Sequence, residues 1–209
     1  TEILHEAGCP PGVFNLVNGE GPEVGTAMSR HPDIQMMSFT GSTRAGTAVT
    51  QDSAEWVKRV TLELGGKSPN LVFADSDLEE RVQNAVAECM ANTGQSCDAP
   101  TRLLVERSCY DQVVEIARQA TIATRVGDPT EEGDHIGPLF DRIQFDRVQN
   151  LIGVGIDECS QLPVGGLGKP EGFERGWYVK STFFTDVTNQ MRIVRDVVFG
   201  PVPALIPLH

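Results

Sequence analysis

The chain has 209 residues, which is enough for one large or two small domains with a hydrophobic core. Hydrophobic residues make up 40% of it and charged residues 22%, the proportions of an ordinary water-soluble globular protein. The formal net charge of −12 argues against nucleic acid or an anionic membrane surface as a partner.

Five widely spaced cysteines without a Cys-x-x-Cys pair indicate neither a zinc site nor a disulfide framework. We therefore expect no bound metal and a reducing compartment, the cytoplasm. No apolar run approaches the ~20 residues that span a bilayer. The first residues resemble the tail of a helix and the last follow a strand-like run, so we expect an internal piece of a longer protein. Four cysteines are expected to be structural: Cys9, Cys89, Cys109 and Cys159.

Residues 1–65 alternate between helical and strand-like patterns, which implies parallel crossover units and a sheet with helices on its faces. Glycine and proline after Ala7 end a first helix. The predicted strands and helices that follow are Val13–Val17, Glu23–Ser29, Ile34–Phe39, Thr43–Asp52 and Val57–Leu64.

The same alternation restarts after Gly65-Gly66, which marks a plausible domain boundary. Residues 163–176, rich in glycine and proline, predict a long surface loop. The predicted helices are Leu78–Ala91, Tyr110–Ala123 and Ile143–Asp157. The predicted strands are Asn70–Phe73, Arg102–Glu106, Trp177–Val179, Thr182–Phe184 and Val202–Ile206.

A glycine-containing turn, Phe39-Thr40-Gly41-Ser42, joins a strand to a helix. Free N–H groups and the positive end of the helix dipole favour a phosphate there, and Ser42 adds a hydroxyl group. Gly46, one turn further on, would let the helix pack closely. The alternative is an ordinary turn in which Ser42 or Thr43 caps the helix.

Glu63 lies between two leucines at the end of a predicted strand. Apolar surroundings would disfavour the charged form of its carboxyl group, which suits a general base that works near neutral pH. The alternative is a glutamate that points outward into solvent.

Cys97 ends a polar loop, Asn92-Thr93-Gly94-Gln95-Ser96-Cys97, that follows an apolar helical run. Gly94 would let backbone and ligand approach closely. The thiolate could attack a carbonyl carbon, and backbone N–H groups could stabilise the resulting oxyanion. The alternative is a structural cysteine.

A series of short motifs follows the same order as in the aldehyde dehydrogenase superfamily, which the chain resembles over nearly its whole length. The motifs are Pro11-Gly12-Val13-Phe14-Asn15, Phe39-Thr40-Gly41-Ser42, Leu62-Glu63-Leu64-Gly65-Gly66-Lys67-Ser68-Pro69, Gly94-Gln95-Ser96-Cys97, Gly127-Asp128-Pro129, Gly137-Pro138-Leu139 and Phe199-Gly200-Pro201-Val202.

This resemblance implies an α/β fold: part of a Rossmann-like parallel-sheet cofactor domain, followed by an α/β catalytic domain, with both ends truncated. Residues 1–65 would be the second half of the nucleotide-binding domain and residues 66–209 the catalytic domain. The missing parts would include a donor to the oxyanion and the oligomerisation strands. We therefore expect a homo-oligomeric parent protein and an inactive isolated fragment.

The resemblance also implies oxidation of an aldehyde to a carboxylic acid with NAD, or NADP, as cofactor. Cys97 would attack the aldehyde to form a thiohemiacetal, and Glu63 would activate the water that hydrolyses the later thioester. The pyrophosphate would lie at Gly41-Ser42. The expected cofactor-binding residues are Phe39, Thr40, Gly41, Ser42, Gly46, Leu64, Gly65 and Phe199.

Two positions depart from the family pattern. Val197 stands where members usually carry the glutamate that holds the nicotinamide ribose, and Asp196 lies one place earlier. Asp98 follows Cys97, where small or neutral residues are commoner. Its charge would oppose thiolate formation or favour a cationic aldehyde.

Two other functions stay open. Val197 favours a non-catalytic remnant of the same fold. An acylating, coenzyme-A-dependent semialdehyde dehydrogenase is disfavoured by Glu63, because such enzymes pass the acyl group to coenzyme A instead of water.

Overall fold

A computed structural model describes residues 2–158 and 160–208. The chain divides at the Gly65-Gly66 pair into two compact units, residues 1–65 and 66–209. Both units combine helices with parallel strands, which confirms the α/β class. None of the helices in the described residues is long and apolar enough to cross a membrane.

The first unit contains a two-stranded parallel sheet, in which Thr40 lies opposite Glu63 and Gly41 opposite Leu64. Since the strands run in the same direction, their carboxyl ends share one edge of the sheet. The elements are α1 (Glu2–Glu6), α2 (Gly21–Arg30), β1 (Met36–Gly41), α3 (Thr43–Ser53) and β2 (Arg59–Leu64).

Helix α3 begins directly after β1 because Ser42 caps it. The Ser42 backbone is extended, and its Oγ accepts the N–H of Ala45 at 3.3 Å. Gly46 is buried where α3 crosses the sheet, and a Cβ added there would lie 2.8 Å from Cδ2 of Leu64. The small residue therefore permits the close approach of helix and sheet.

The predicted strand at residues 13–17 is wrong, because this stretch forms no strand and Val13 and Val17 are 70% and 67% exposed. An apolar run becomes a strand only when a neighbouring strand takes its backbone hydrogen bonds. Here the Asn15 side chain instead donates to the carbonyl oxygen of Gly12 at 2.9 Å, a local bond that favours a turn.

The second unit is built on a five-stranded sheet in the order β3-β4-β7-β6-β5. The first four strands in this order are parallel, and β5 joins the edge antiparallel to β6. The elements are β3 (Pro69–Val72), α4 (Leu78–Met90), β4 (Arg102–Glu106), α5 (Tyr110–Ala123), α6 (Arg142–Asp157), β5 (Gln161–Val164), β6 (Phe183–Thr185), α7 (Arg192–Arg195) and β7 (Ala204–Leu208).

Two apolar clusters cover the two faces of this sheet, since successive strand residues point to opposite sides. Leu103 and Val105 belong to the cluster formed with α4 and α5, whereas Leu104 packs against the cluster formed with α6 and α7. Each fully buried side chain of this size contributes about 1.5–3 kcal/mol. Both faces are therefore covered by helices, as the parallel arrangement requires.

The predicted strand Trp177–Val179 is also wrong. Its backbone has no strand conformation, and the Trp177 carbonyl accepts a single hydrogen bond from the N–H of Leu139 at 3.0 Å. The Trp177 ring instead packs against Phe145 of α6, with ring centroids 5.9 Å apart. The predicted loop at residues 163–176 likewise begins inside β5, which ends at Val164.

Candidate active site

The loop that carries Cys97 leaves α4 through three consecutive residues in the left-handed conformation. Asn92, Thr93 and Gly94 have φ values of 51°, 59° and 70°. This conformation costs a residue with a Cβ roughly 1–2 kcal/mol, so contacts elsewhere must hold it. The Thr93 hydroxyl provides one such contact by donating to the Gly137 carbonyl at 3.0 Å.

Gln95 fixes the next part of the loop. Its side-chain Nε2 donates to the Asn92 carbonyl at 3.1 Å, and its Oε1 accepts the N–H of Phe140 at 3.0 Å. The Asn92 side chain donates in return to the Gln95 carbonyl at 3.0 Å. These bonds join the loop to residues 137–140, and Cys97 follows as an exposed free thiol.

The thiol loop, residues 92–97, lies directly against the turn formed by residues 199–201. A Cβ added to Gly94 would lie 2.1 Å from the carbonyl oxygen of Gly200 and 2.7 Å from the nitrogen of Pro201. Only glycine fits this contact. The fold thus brings the loop of Cys97 next to the segment of Phe199.

Side chains of α6 hold the backbone of residues 197–199. Gln144 Nε2 donates to the carbonyls of Val198 at 3.0 Å and Phe199 at 2.7 Å, and Arg147 donates to that of Val197 at 2.8 Å. Sequence reasoning missed Gln144. Gln144 lies three residues after Asp141, the spacing at which two side chains commonly cap the start of a helix. This pattern predicts a capping role for both side chains and no contact with residues 197–199. Only Asp141 caps, by accepting the N–H of Gln144 at 2.7 Å.

In the first unit, Glu63 lies near the end of β2, one position before Leu64. Leu62 and Leu64 face α3, where a Cβ on Gly46 would contact both side chains, whereas Glu63 points to the other side and is exposed. The apolar surroundings expected for Glu63 are therefore wrong for this unit, because neighbours along a strand alternate between faces.

The other predicted residues of this unit gather at the same edge of the sheet. Gly41 lies opposite Leu64, and the ring of Phe39 folds back over Gly41, where a Cβ would lie 2.6 Å from the ring. Ser42 caps α3, the helix that starts at this edge. Gly65 follows Leu64 directly and is half-buried.

The start of α3 fits a phosphate group. A helix leaves its first N–H groups without intrahelical acceptors and carries positive charge at that end. The first turn of α3 contains no acidic residue, and Arg44 adds a cation. Ser42 and Thr43 are exposed, so an anion can approach. The residues present thus suit the pyrophosphate of a dinucleotide.

Asp98 places a carboxylate beside the thiol. The Ser96 hydroxyl donates to its Oδ1 at 2.7 Å, and this bond, aided by a backbone N–H, lowers the pKa of Asp98. Asp98 is therefore negatively charged at neutral pH, one residue from Cys97.

The other described cysteines differ from Cys97 in exposure. Cys89 and Cys109 are buried and Cys9 is half-buried, while Cys159 lies outside the described residues. Burial raises the pKa of the Cys89 thiol to about 12, so it stays protonated and unreactive. Cys97 is the exposed thiol among those described.

Lys67 is a buried cation in the second unit. Its Nζ has no hydrogen-bond partner among the described residues, and burial lowers its pKa to about 8. Cys89, Arg102 and Asp196 are its charged or polar neighbours.

Asp196, the acid next to Val197, already has a partner. Its carboxylate is bound to Arg192 at 3.0 Å, one helical turn away. The Val197 carbonyl accepts a hydrogen bond from Arg147.

A groove of about 720 Å³ lies between α4 and α5. Asn92 of the thiol loop lines it, together with Thr124 and His135, but Cys97 is not among the lining residues. The groove therefore does not include the Cys97 thiol.

Comparison with known proteins shows the family of the chain. The profile of the aldehyde dehydrogenase family matches residues 1–209, and the chain belongs to this family.

The individual relatives of this chain are longer proteins. The 3-succinoylsemialdehyde-pyridine dehydrogenase of a Pseudomonas species is 49% identical over 205 residues, which are 98% of this chain and 43% of that protein. The crystal structure of an aldehyde dehydrogenase from Bartonella henselae is 50% identical with a TM-score of 0.97, and covers 100% of this chain and 44% of that one.

A mutant of aldehyde dehydrogenase C from Pseudomonas syringae, in complex with NAD+ and octanal, is 49% identical with a TM-score of 0.97. The match covers 99% of this chain and 43% of that one. The chain thus spans less than half the length of the relatives that it matches.

Proposed function

We propose that the parent protein of this chain is a hydrolytic aldehyde dehydrogenase that uses NAD, with NADP as the alternative, to oxidise an aldehyde to a carboxylic acid. The observation that carries the proposal is the exposed thiol of Cys97 on a left-handed loop, fixed against the Phe199 turn. The NAD+ and octanal bound by the Pseudomonas syringae relative support this choice of cofactor and substrate class.

Cys97 acts as the nucleophile. Its thiolate attacks the aldehyde carbon, the carbonyl π electrons move to oxygen, and a thiohemiacetal alkoxide forms. The loop backbone supplies N–H groups near the developing negative charge. The bonds of Thr93 and Gln95 hold the loop so that little reorganisation accompanies the attack.

A nicotinamide cofactor bound here would supply the acceptor for the hydride that leaves the thiohemiacetal carbon, and this carbon would become the carbonyl carbon of a thioester on Cys97. The chain would hold this cofactor through the start of α3, where Gly41, Ser42 and the free N–H groups would bind pyrophosphate and Gly46 supports the helix. Phe39 and Thr40 line the same strand end. Leu64 and Gly65 in the first unit, and Phe199 in the second, are the residues proposed to hold the nicotinamide.

Glu63 completes the cycle as general base. Its carboxylate takes a proton from a water molecule, the resulting hydroxide attacks the thioester carbon, and the Cys97 thiolate leaves. The acid product departs and the proton is released to solvent. The exposed position of Glu63 in the first unit gives water free access to it.

A non-catalytic remnant is the second candidate, and one observation favours it. Val197 stands where the family resemblance implies a ribose-binding glutamate, and the carboxylate of the neighbouring Asp196 is paired with Arg192. Labelling with a thiol-selective, aldehyde-like probe, with and without NAD, separates the two functions, because the exposure of Cys97 alone already favours its modification. In an enzyme, bound NAD changes the rate at which the probe modifies Cys97, and in a remnant it does not.

Steady-state assays test the proposal directly. The parent protein, incubated with NAD and simple aldehydes, is expected to form NADH, and Cys97→Ala is expected to abolish this. The isolated fragment is expected to form none. Wild-type parent protein that forms no NADH with any aldehyde overturns the proposal.

We also expect the parent protein to be a homo-oligomer in the cytoplasm. Light scattering and cell fractionation test these two expectations, and a monomeric or secreted protein contradicts them.

A further inference from the structure

Three consecutive carbonyls, those of residues 197–199, accept hydrogen bonds from α6. Gln144 binds two of them and Arg147 binds the third. One turn further along α6, Val148 packs against Gly200, where a Cβ would lie 2.8 Å from its Cγ2. The start of α6 therefore contacts this segment along its whole length.

Phe199 needs such support. Its φ of 55° lies in the left-handed region, which an aromatic residue rarely adopts without strain. The strain persists only where surrounding contacts fix the backbone. The Phe199 carbonyl accepts the shorter of the two Gln144 bonds, at 2.7 Å.

Gln144 is suited to this task by its burial and its chemistry. The side chain is 8% exposed, and both hydrogens of its amide group are directed at carbonyl oxygens. The reversed amide would place its oxygen against two carbonyl oxygens, so the orientation is fixed. Arg147 makes its bond from an exposed position, where water can replace it.

The same segment contacts the thiol loop on its other side, through Gly200 and Gly94. A shift of the 197–199 backbone therefore changes the position of Phe199 relative to the loop of Cys97. We propose that Gln144 is a positioning residue: it sets the backbone of Phe199, and thereby the nicotinamide-binding end of the site, without touching cofactor or substrate. This inference rests on the proposed function.

Gln144→Met in the parent protein tests it, because methionine keeps the shape and removes both donors. Gln149→Met is the matched control on the same helix, since Gln149 bonds to Gly168 and not to residues 197–199. The measurements are deuterium uptake of residues 196–202, the NAD dissociation constant, KM and kcat, and the alkylation rate of Cys97 by iodoacetamide.

Gln144→Met is expected to speed deuterium uptake in residues 196–202 and to raise the NAD dissociation constant roughly tenfold or more. Cys97 alkylation should stay within about twofold of the wild type, because the thiol loop keeps its own bonds to residues 137–140. Gln149→Met should change none of these quantities by more than about twofold.

Equal NAD dissociation constants for the two variants overturn the inference. The inference is also overturned if Gln144→Met loses both the reactivity of Cys97 and cooperative unfolding, because Gln144 then has only a structural role. Absence of NADH formation by the wild type overturns the proposed function instead, and the deuterium and NAD-binding measurements still decide the role of Gln144.

Discussion

Gly94→Ala tests how the thiol loop is held. The new Cβ would lie 2.1 Å from the Gly200 carbonyl oxygen, whereas real Cβ contacts below 3.0 Å are essentially never found, so the loop and the turn must separate by at least 0.9 Å. The φ of 70° adds the cost of a left-handed alanine, about 1–2 kcal/mol. Overpacking against rigid backbone adds about 1–3 kcal/mol.

Gly172→Ala is the matched control, because its φ of 83° is also left-handed but a Cβ there has no neighbour within 4 Å. Urea unfolding of the parent protein should show Gly94→Ala to be less stable than Gly172→Ala by about 1–3 kcal/mol. The aldehyde oxidation rate should fall about a hundredfold for Gly94→Ala, since a displacement near 1 Å has that effect at a reacting centre. Equal stability of the two variants and an unchanged oxidation rate refute the reasoning.

Three further changes probe individual groups. Burial lowers the pKa of Lys67 from 10.5 to about 8. Between about pH 8 and pH 10.5 the folded state therefore binds fewer protons than the unfolded state, and the free energy of unfolding rises with pH in this range. Lys67→Met should therefore raise the free energy of unfolding by on the order of 2–3 kcal/mol at neutral pH. This increase in stability should shrink towards pH ~10. An increase that does not change with pH contradicts the reasoning. If residue 197 lies beside the nicotinamide ribose, as the family resemblance implies, Val197→Glu should tighten NAD binding about three- to tenfold in a fluorescence titration, because the new carboxylate accepts hydrogen bonds from the ribose hydroxyls. An unchanged dissociation constant counts against this placement. Asp98→Asn should lower the kcat/KM of an aminoaldehyde relative to its neutral isostere about three- to tenfold at low salt, and an unchanged ratio ends the charge-selection hypothesis.

The elements that the sequence predicts best are those set by local pattern. β4 and α5 begin and end at the predicted residues, because strand alternation and helical spacing are strong there. The segments at residues 13–17 and 177–179 have the composition of strands but no strand structure. Whether an apolar run becomes a strand depends on a neighbour elsewhere in the chain, and local pattern does not contain this information.

The features of the candidate site likewise divide into those that local sequence pattern predicts and those that depend on distant residues. The glycine-broken loop after α4 and the Ser42 cap were visible in the sequence, because both depend on residues close together in the chain. The contacts that hold the site could not be predicted from the sequence. Thr93 bonds to a carbonyl 44 residues away, and Gln144 to one 55 residues away. The apolar surroundings predicted for Glu63 are wrong because its leucine neighbours face the other side of the strand.

The division of work between Cys97 and Glu63 is tested most directly by Glu63→Gln in the parent protein, mixed with NAD and an aldehyde and quenched within one turnover. Mass spectrometry of the peptide that contains Cys97 reports the acyl group. We predict about one equivalent of NADH in a rapid burst, a stable thioester on Cys97 and steady turnover reduced at least about a hundredfold. Turnover at the wild-type rate, or an acyl group on a different residue, contradicts the account.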